Sequence, residues 1–341
     1  MIKKNNSWSE PSKIISLFFF LLILCGIFVA GFWPFNFYPL NEIHRQTDST
    51  GTYLSIKQPS LAYITPELPN FNSPDGFTIK IKLKSKNPST NYIARIFSLT
   101  SNNKEILMIG QWKSGIIFRY YDPAKSRNRE IYLKKLLESK APFLLTLIVT
   151  RSSFLAFYNG ENILKREVSL QQTSLKGFAT VGNSNTGKQG WTGELYELRI
   201  YDHPIDDNQI MCRTNESQKL FSFPNEVCRL VIPKHFSAIK KMILTPPWVD
   251  FRFNKSYIND VVLNFIGFLP LGFMLGVLLM QYRIDRFNPL LISFLLCTAI
   301  SLSIELIQPF IPSRCSQLSD LILNVLGAIS GTWIFLIFKK R

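Results

Sequence analysis

The stretch Ser303-Ile-Glu-Leu-Ile-Gln-Pro-Phe-Ile-Pro-Ser-Arg-Cys-Ser-Gln-Leu-Ser-Asp-Leu-Ile-Leu-Asn-Val-Leu-Gly-Ala-Ile-Ser-Gly331 decides how this chain is built. It links two runs, Phe294–Ile311 and Leu318–Phe338, that are apolar enough to span a bilayer. Glu305 and Gln308 lie inside the first run, while Asp320 and Asn324 open the second. A carboxylate at membrane depth costs about 2.5–3.5 kcal/mol on insertion scales, so it marks a packed polar site. Ser301, Glu305 and Gln308 recur at spacings of four and three, which places them on one helix face. Asp320, Asn324, Gly327 and Gly331 repeat that pattern on the next helix.

Further apolar runs cover Ile14–Trp33 and Tyr257–Met280, and the third span in full is Pro289–Ile311. Asp260, Asn264 and Gly267 supply another polar stripe on the second span. Three such stripes must avoid lipid and are expected to converge. Gly272-x-x-x-Gly276 and Gly327-x-x-x-Gly331 permit close helix approach, and Pro270 invites a kink. Arg314, in the short loop between the last two spans, is in reach of Asp320, Glu305 or an anionic ligand. Hydrogen bonding between helices is the plainer role for Asn264, Ser301 and Asn324. For Glu305, Gln308, Arg314 and Asp320 a functional role and a structural one both fit.

Lys3, Lys4 and Lys13 precede the first span; Arg283 and Arg286 follow the second, and Lys339, Lys340 and Arg341 follow the fourth. The positive-inside rule then expects both termini in the cytoplasm and residues 41–247 outside. The first run also fits a cleaved signal peptide, but Val29-Ala30-Gly31 is a weak cleavage signal and the run is long for one. A retained helix is expected. Phe32, Trp33, Phe35, Phe37 and Tyr38 suit an interfacial aromatic belt after it.

The region between the first two spans alternates with a period of two. Phe77, Ile79, Ile81 and Leu83 share one face of a strand. Ile93–Leu99, Ile106–Gln111, Ile116–Tyr121, Phe143–Arg151, Phe154–Asn159 and Phe178–Val181 are further strand candidates, with Asn159-Gly160 as a turn. There is room for one short helix near Glu130–Lys140. Many strands joined by turns indicate a two-sheet sandwich.

Two resemblances sharpen this picture. Phe154-Leu-Ala-Phe-Tyr-Asn-Gly160, with the closing segment Trp191-Thr-Gly-Glu-Leu-Tyr-Glu-Leu-Arg-Ile-Tyr-Asp-His-Pro-Ile-Asp-Asp-Asn-Gln-Ile210, resembles laminin-G-like, concanavalin A-like domains. Ile258-Asn-Asp-Val-Val-Leu-Asn-Phe-Ile-Gly-Phe-Leu-Pro-Leu-Gly272, Ser303–Gly331 and Trp33-Pro-Phe-Asn-Phe37 resemble the VanZ-like membrane family. One departure is Ser316 or Gln317, where that family's loop often carries another acid. The implied architecture is an all-β, concanavalin A-like jelly-roll sandwich inserted into a four-helix transmembrane bundle. Its expected divisions are a cytoplasmic N-terminus at 1–13, a first transmembrane helix at 14–33 and the sandwich at 50–211. An extracytoplasmic connector at 212–256, transmembrane helices 2–4 at 257–338 and a cytoplasmic tail at 339–341 complete it.

The formal charge of +16 is spread without a dense run, and a membrane-confined domain makes nucleic acid an unpromising partner. Envelope glycans, lipid-linked precursors, lipid headgroups or envelope proteins suit a displayed basic surface better. Cys212 and Cys228 are placed to form a disulfide if their side is oxidising; Cys25 and Cys297 fall in apolar spans. No cofactor and no sulfur-based metal site are expected. Asp122, Asn183 and Glu194 are candidate calcium ligands in the sandwich, with solvated loop polars as the plainer reading. Trp112 and Trp191 either stack on sugar rings or pack within the sheets.

The VanZ-like resemblance implies a link to glycopeptide (teicoplanin) resistance but no established reaction. The leading expectation is an integral inner-membrane protein whose outer-leaflet polar pocket binds an anionic lipid or lipid-linked ligand. Glu305, Gln308, Arg314, Asp320, Asn324 and Asn264 would line it, with Arg314 on the phosphate. The alternatives are a membrane enzyme, with Glu305 or Asp320 as general base, and an anchor that displays the sandwich.

Overall fold

A computed structural model describes residues 9–48, 51–68, 75–102, 104–122, 126–139, 141–168, 176–205, 219–223, 229–250, 255–284 and 288–340. The chain divides into two compact units, one of residues 1–37 and 241–341 and the other of residues 38–240. Cys212 and Cys228 lie outside the described residues.

The second unit is an antiparallel sandwich. One sheet runs β1(Ile43–Asp48), β2(Gly51–Ile56), β13(Gly193–Tyr201), β4(Gly76–Ser85), β9(Phe143–Thr150), β10(Ser153–Tyr158) and β11(Glu161–Glu167), with β14(Lys219–Phe223) also pairing β13. The other runs β15(Arg229–Val231), β3(Ala62–Leu68), β12(Gly177–Val181), β5(Ala94–Ser101), β6(Lys104–Trp112), β7(Gly115–Asp122) and β8(Arg127–Leu133). Successive strands β2 to β5 change sheet at each step, which winds the chain as a jelly roll. Phe77, Ile79, Ile81 and Leu83 all enter the core, as their alternation demands. Thr78 and Lys80 are buried as well, and the chain just after β13 folds back over Thr78. Thr78 Oγ1 donates to His203 O and accepts from Ile205 N–H.

The helix expected near Glu130–Lys140 does not form. Arg127–Leu133 is instead an edge strand paired antiparallel with β7, and turns follow it. Ile131 and Leu133 are buried at a spacing of two, so sheet periodicity prevails over the polar composition of the segment. The two ends of the unit are pinned together: Leu40 bridges His235, Asn41 N–H donates to Lys234 O and Phe236 N–H to Pro39 O. An insertion whose ends meet in this way interrupts its host at a single place.

The first unit holds α1(Glu10–Phe32), a short α2(Pro247–Asp250), α3(Lys255–Gln281), α4(Pro289–Ile307) and α5(Leu318–Lys340). Pro34 follows the end of α1, where Trp33 N–H still donates to Val29 O. Asn288 caps α4 by accepting from Leu290 N–H at 2.9 Å, with Pro289 in the first turn. A 3-10 turn, Gln308–Phe310, ends α4. α3 continues through Pro270.

Small residues bring α3 and α5 together. A Cβ on Gly272 would overlap the Ala328 carbonyl, and on Gly327 or Gly331 it would overlap the carbonyls of Phe265 or Leu269. Thr332 Oγ1 contacts both Gly272 O at 2.7 Å and Ser293 Oγ at 2.9 Å, tying three helices at one level. Phe268, Leu271, Cys297, Ile304 and Ala328 form the apolar centre, against which Phe28 and Phe32 of α1 pack.

Candidate functional site

The three polar stripes meet. Asp260 and Asn264 of α3, Glu305 of α4, Gln308 of the 3-10 turn, and Asp320 and Asn324 of α5 all line one cavity of about 620 Å³. Ala30 and Gly31 of α1 and Arg314 of the α4–α5 loop complete its rim. The helix spacing explains this directly: a polar group every three or four residues on α3, α4 and α5 leaves one direction that avoids lipid.

Glu305 is only 1% exposed, and its Oε2 accepts Gln317 N–H at 2.8 Å. Ser316 Oγ lies beside the same carboxylate and accepts Leu244 N–H at 2.9 Å. Backbone bonds of Thr245 to Ser316 and Leu318 strap the segment before α2 onto this loop. The buried acid therefore organises a turn as well as facing the cavity.

Asn324 Nδ2 donates to Ser301 Oγ at 3.0 Å, joining α5 to α4. Gln308 Nε2 donates to Gly31 O at 3.2 Å, joining the 3-10 turn to α1. Arg314 donates from Nε to Trp33 O at 2.9 Å and from Nη2 to Ala30 O at 2.6 Å. These are carbonyls at the C-terminal end of α1, where a cation is favourable to the helix dipole. The sequence did not point to this use of Arg314, to Ser316 and Gln317 as neighbours of Glu305, or to Gly31 as a partner of Gln308. Backbone donors and acceptors carry no side-chain signal that spacing could reveal.

The sandwich candidates are dispersed. Trp191 is wholly buried, with its indole N–H donating to Gln111 Oε1 at 3.0 Å, so it is not a sugar-stacking platform. Trp112 is half-buried at the end of β6, beside the ammonium of Lys113. Asp122 accepts from Arg129 at 3.2 Å, Glu194 faces Lys84 and Lys86, and Asn183 donates to Ser60 O and accepts from the N–H groups of Ser184 and Gln189 in its own loop. Among the described residues no group of three His, Cys, Asp or Glu side chains is placed to hold a metal ion.

Among the described residues, four helices are long and apolar enough to cross a membrane: Glu10–Phe32, Tyr257–Gln281, Pro289–Phe310 and Leu318–Lys339. With their polar groups gathered inward, they define a polytopic membrane protein that carries an antiparallel sandwich. Residues 201–339 match the VanZ/LLP1 family model, which takes in the whole α3–α5 core of the cavity. No curated protein matches the chain.

Solved structures resemble the sandwich. A native heptameric SAP-like pentraxin from Limulus polyphemus is 15% identical over 51% of this chain and 85% of its own, with a TM-score of 0.40. The botulinum neurotoxin serotype G binding domain is 11% identical over 51% of this chain and 44% of its own, with a TM-score of 0.41. A Ruminococcus gnavus IT-sialidase CBM40 bound to α2,3-sialyllactose is 12% identical over 41% of this chain and 83% of its own, with a TM-score of 0.34.

Proposed function

We propose that this protein sits in the cytoplasmic membrane and holds the headgroup of a phosphate-bearing lipid, or of a lipid-linked precursor, in the cavity between its helices. Both termini and the 281–288 loop face the cytoplasm in this reading, since Lys13, Arg283 and Lys339 flank the spans on one side. The sandwich faces outward and meets envelope glycan or protein.

The observation that carries the reading is a roughly 620 Å³ space ringed by Glu305, Gln308, Asp320 and Asn324, with the Arg314 guanidinium at its rim. A bundle that used these groups for cohesion alone would close over them, because polar contacts between helices average only about 0.6 kcal/mol. An open polar space of this size matches small-ligand pockets. The guanidinium is the natural partner of a phosphate oxygen.

Protein purified in mild detergent is expected to retain a phosphate-bearing lipid, identified by mass spectrometry after extraction. Arg314→Ala is expected to lose it while the helical circular dichroism persists. Retention of the same lipid by folded Arg314→Ala at equal occupancy would overturn the assignment. A change in teicoplanin susceptibility on deletion of the gene belongs to the same proposal and is read by growth inhibition.

A further inference from the structure

The cavity is graded along its depth. Asp260 and Asp320 lie close to the start of their spans, beside the α4–α5 loop that carries Arg314. The deepest of its α3 wall residues, Gly267 and Phe268, carry no polar side chain. At 1.5 Å per residue, Gly267 stands about 15 Å past Tyr257, where the span begins. That is roughly halfway across a hydrocarbon core of about 30 Å.

The cavity also has an open side, between α1 and α3. Far from the loop these two helices are tied, since Gln281 Nε2 donates to Ser16 Oγ at 2.9 Å. Toward the loop, the Ala30, Gly31 and Trp33 carbonyls of α1 turn to Arg314 and Gln308 instead. Ile27 of α1 and Leu263 and Gly267 of α3 flank the cavity there. Leu263 is 67% exposed, and a Cβ on Gly267 would meet nothing within 4 Å apart from its own adjacent backbone. Four residues apart, they share a helix face, so this wall is a slot rather than a packed seam.

We propose that the slot is the lateral entrance and acyl-chain site of the cavity. The ligand is a lipid already resident in the membrane, with a chain along Ile27, Leu263 and Gly267 and its phosphate toward the loop end. This rests on the phosphate-lipid reading above and assigns Gly267 as the residue that keeps the slot clear. A soluble phosphate compound would enter from the loop end and has no use for an apolar wall at mid-membrane depth. A lipid does, because its chains then stay in hydrocarbon and no methylene is drawn into water.

The test compares the full chain in detergent with Gly267→Leu, Gly267→Trp and Gly26→Trp. Gly26 likewise has open space at its Cβ, but it lies outside the cavity lining. Native mass spectrometry reads the binding of dioleoyl phosphatidic acid and of dioleoylglycerol, and thermal unfolding reads the fold. Leu is the smaller plug and keeps the comparison valid if Trp does not fold. Both Gly267 variants are expected to hold phosphatidic acid at least about tenfold more weakly than the unsubstituted protein, with Gly26→Trp unchanged. Equal binding by all four proteins would overturn the acyl slot and leave the phosphate-lipid reading in place. Displacement of the lipid by an equal concentration of glycerol 3-phosphate would also overturn the slot, making the cavity a site for soluble phosphates. If the unsubstituted protein holds phosphatidic acid no better than dioleoylglycerol, the phosphate reading falls. The slot then stands if the Gly267 variants release dioleoylglycerol and falls if they do not. Binding of neither lipid removes both.

Discussion

The carboxylate of Glu305 accepts the backbone N–H of Gln317 at 2.8 Å, across the turn that leads from α4 into α5. One buried acid thus closes a helical hairpin from within. Replacing it by Ala would leave that N–H without its carboxylate acceptor. Glu305→Ala is expected to cost about 1–3 kcal/mol, the usual range for an orphaned buried group. Glu305→Gln retains an acceptor oxygen and should cost less. Thermal unfolding in detergent ranks the two, and equal losses would show that the bond does not matter.

The glycines separate into those that need to be glycine and those that do not. A methyl group on Gly327 would overlap the Phe265 carbonyl, whereas Gly26 of α1 has nothing within 4 Å of its virtual Cβ. Gly327→Ala is expected to force α3 and α5 apart and reduce the yield of folded monomer. Gly26→Ala should be neutral or gain up to about 1 kcal/mol of helix propensity. Size-exclusion chromatography with unfolding curves distinguishes them.

Thr332 is wholly buried, and its hydroxyl touches Gly272 O and Ser293 Oγ. Thr332→Val removes both contacts with little change of shape. A loss of about 0.6 kcal/mol, and no more than about 1.7, is expected for a polar contact between membrane helices. A larger drop would mean that the Ser293 hydroxyl has been stranded.

The proposed orientation puts the α4–α5 loop outside. Cys315 is exposed in that loop, Cys297 is buried in the bundle and Cys25 lies within α1. In a Cys212→Ser, Cys228→Ser background, an impermeant maleimide added to intact cells should label Cys315 and spare Cys297. Labelling that requires cell lysis would invert the topology.

Inside the sandwich, Asn183 is fully buried, and its side chain bonds Ser60 O and the N–H groups of Ser184 and Gln189. Asn183→Ala leaves several buried backbone groups unpaired at once. A loss of roughly 2–4 kcal/mol is expected, above that of one hydrogen bond. Urea unfolding followed by tryptophan fluorescence reads this, since Trp191 sits wholly buried in the same unit.

Hydrophobic periodicity made the spans and most core strands legible. β4, β9 and β10 fall where alternation put them, because each buries a face of its own. Arg127–Leu133 was not legible as a strand, since its charges suit several conformations and only pairing with β7 selects one. Trp191 illustrates the same limit, since an aromatic that stacks on sugar and one that packs in a core look alike in sequence. The cavity was legible in part. Spacing grouped Ser301 with Glu305, and Asp320 with Asn324, without saying how closely the helices approach.

By itself, then, the chain's order of residues determined where it enters the membrane and which helix faces are polar, because both follow from local composition and a period of 3.6 residues. Tertiary structure alone decided that Arg314 would bond the end of α1 and that Gln317 would meet Glu305. Those outcomes depend on backbone groups far apart in the chain, and no pattern of neighbouring side chains records where a distant carbonyl or N–H will lie.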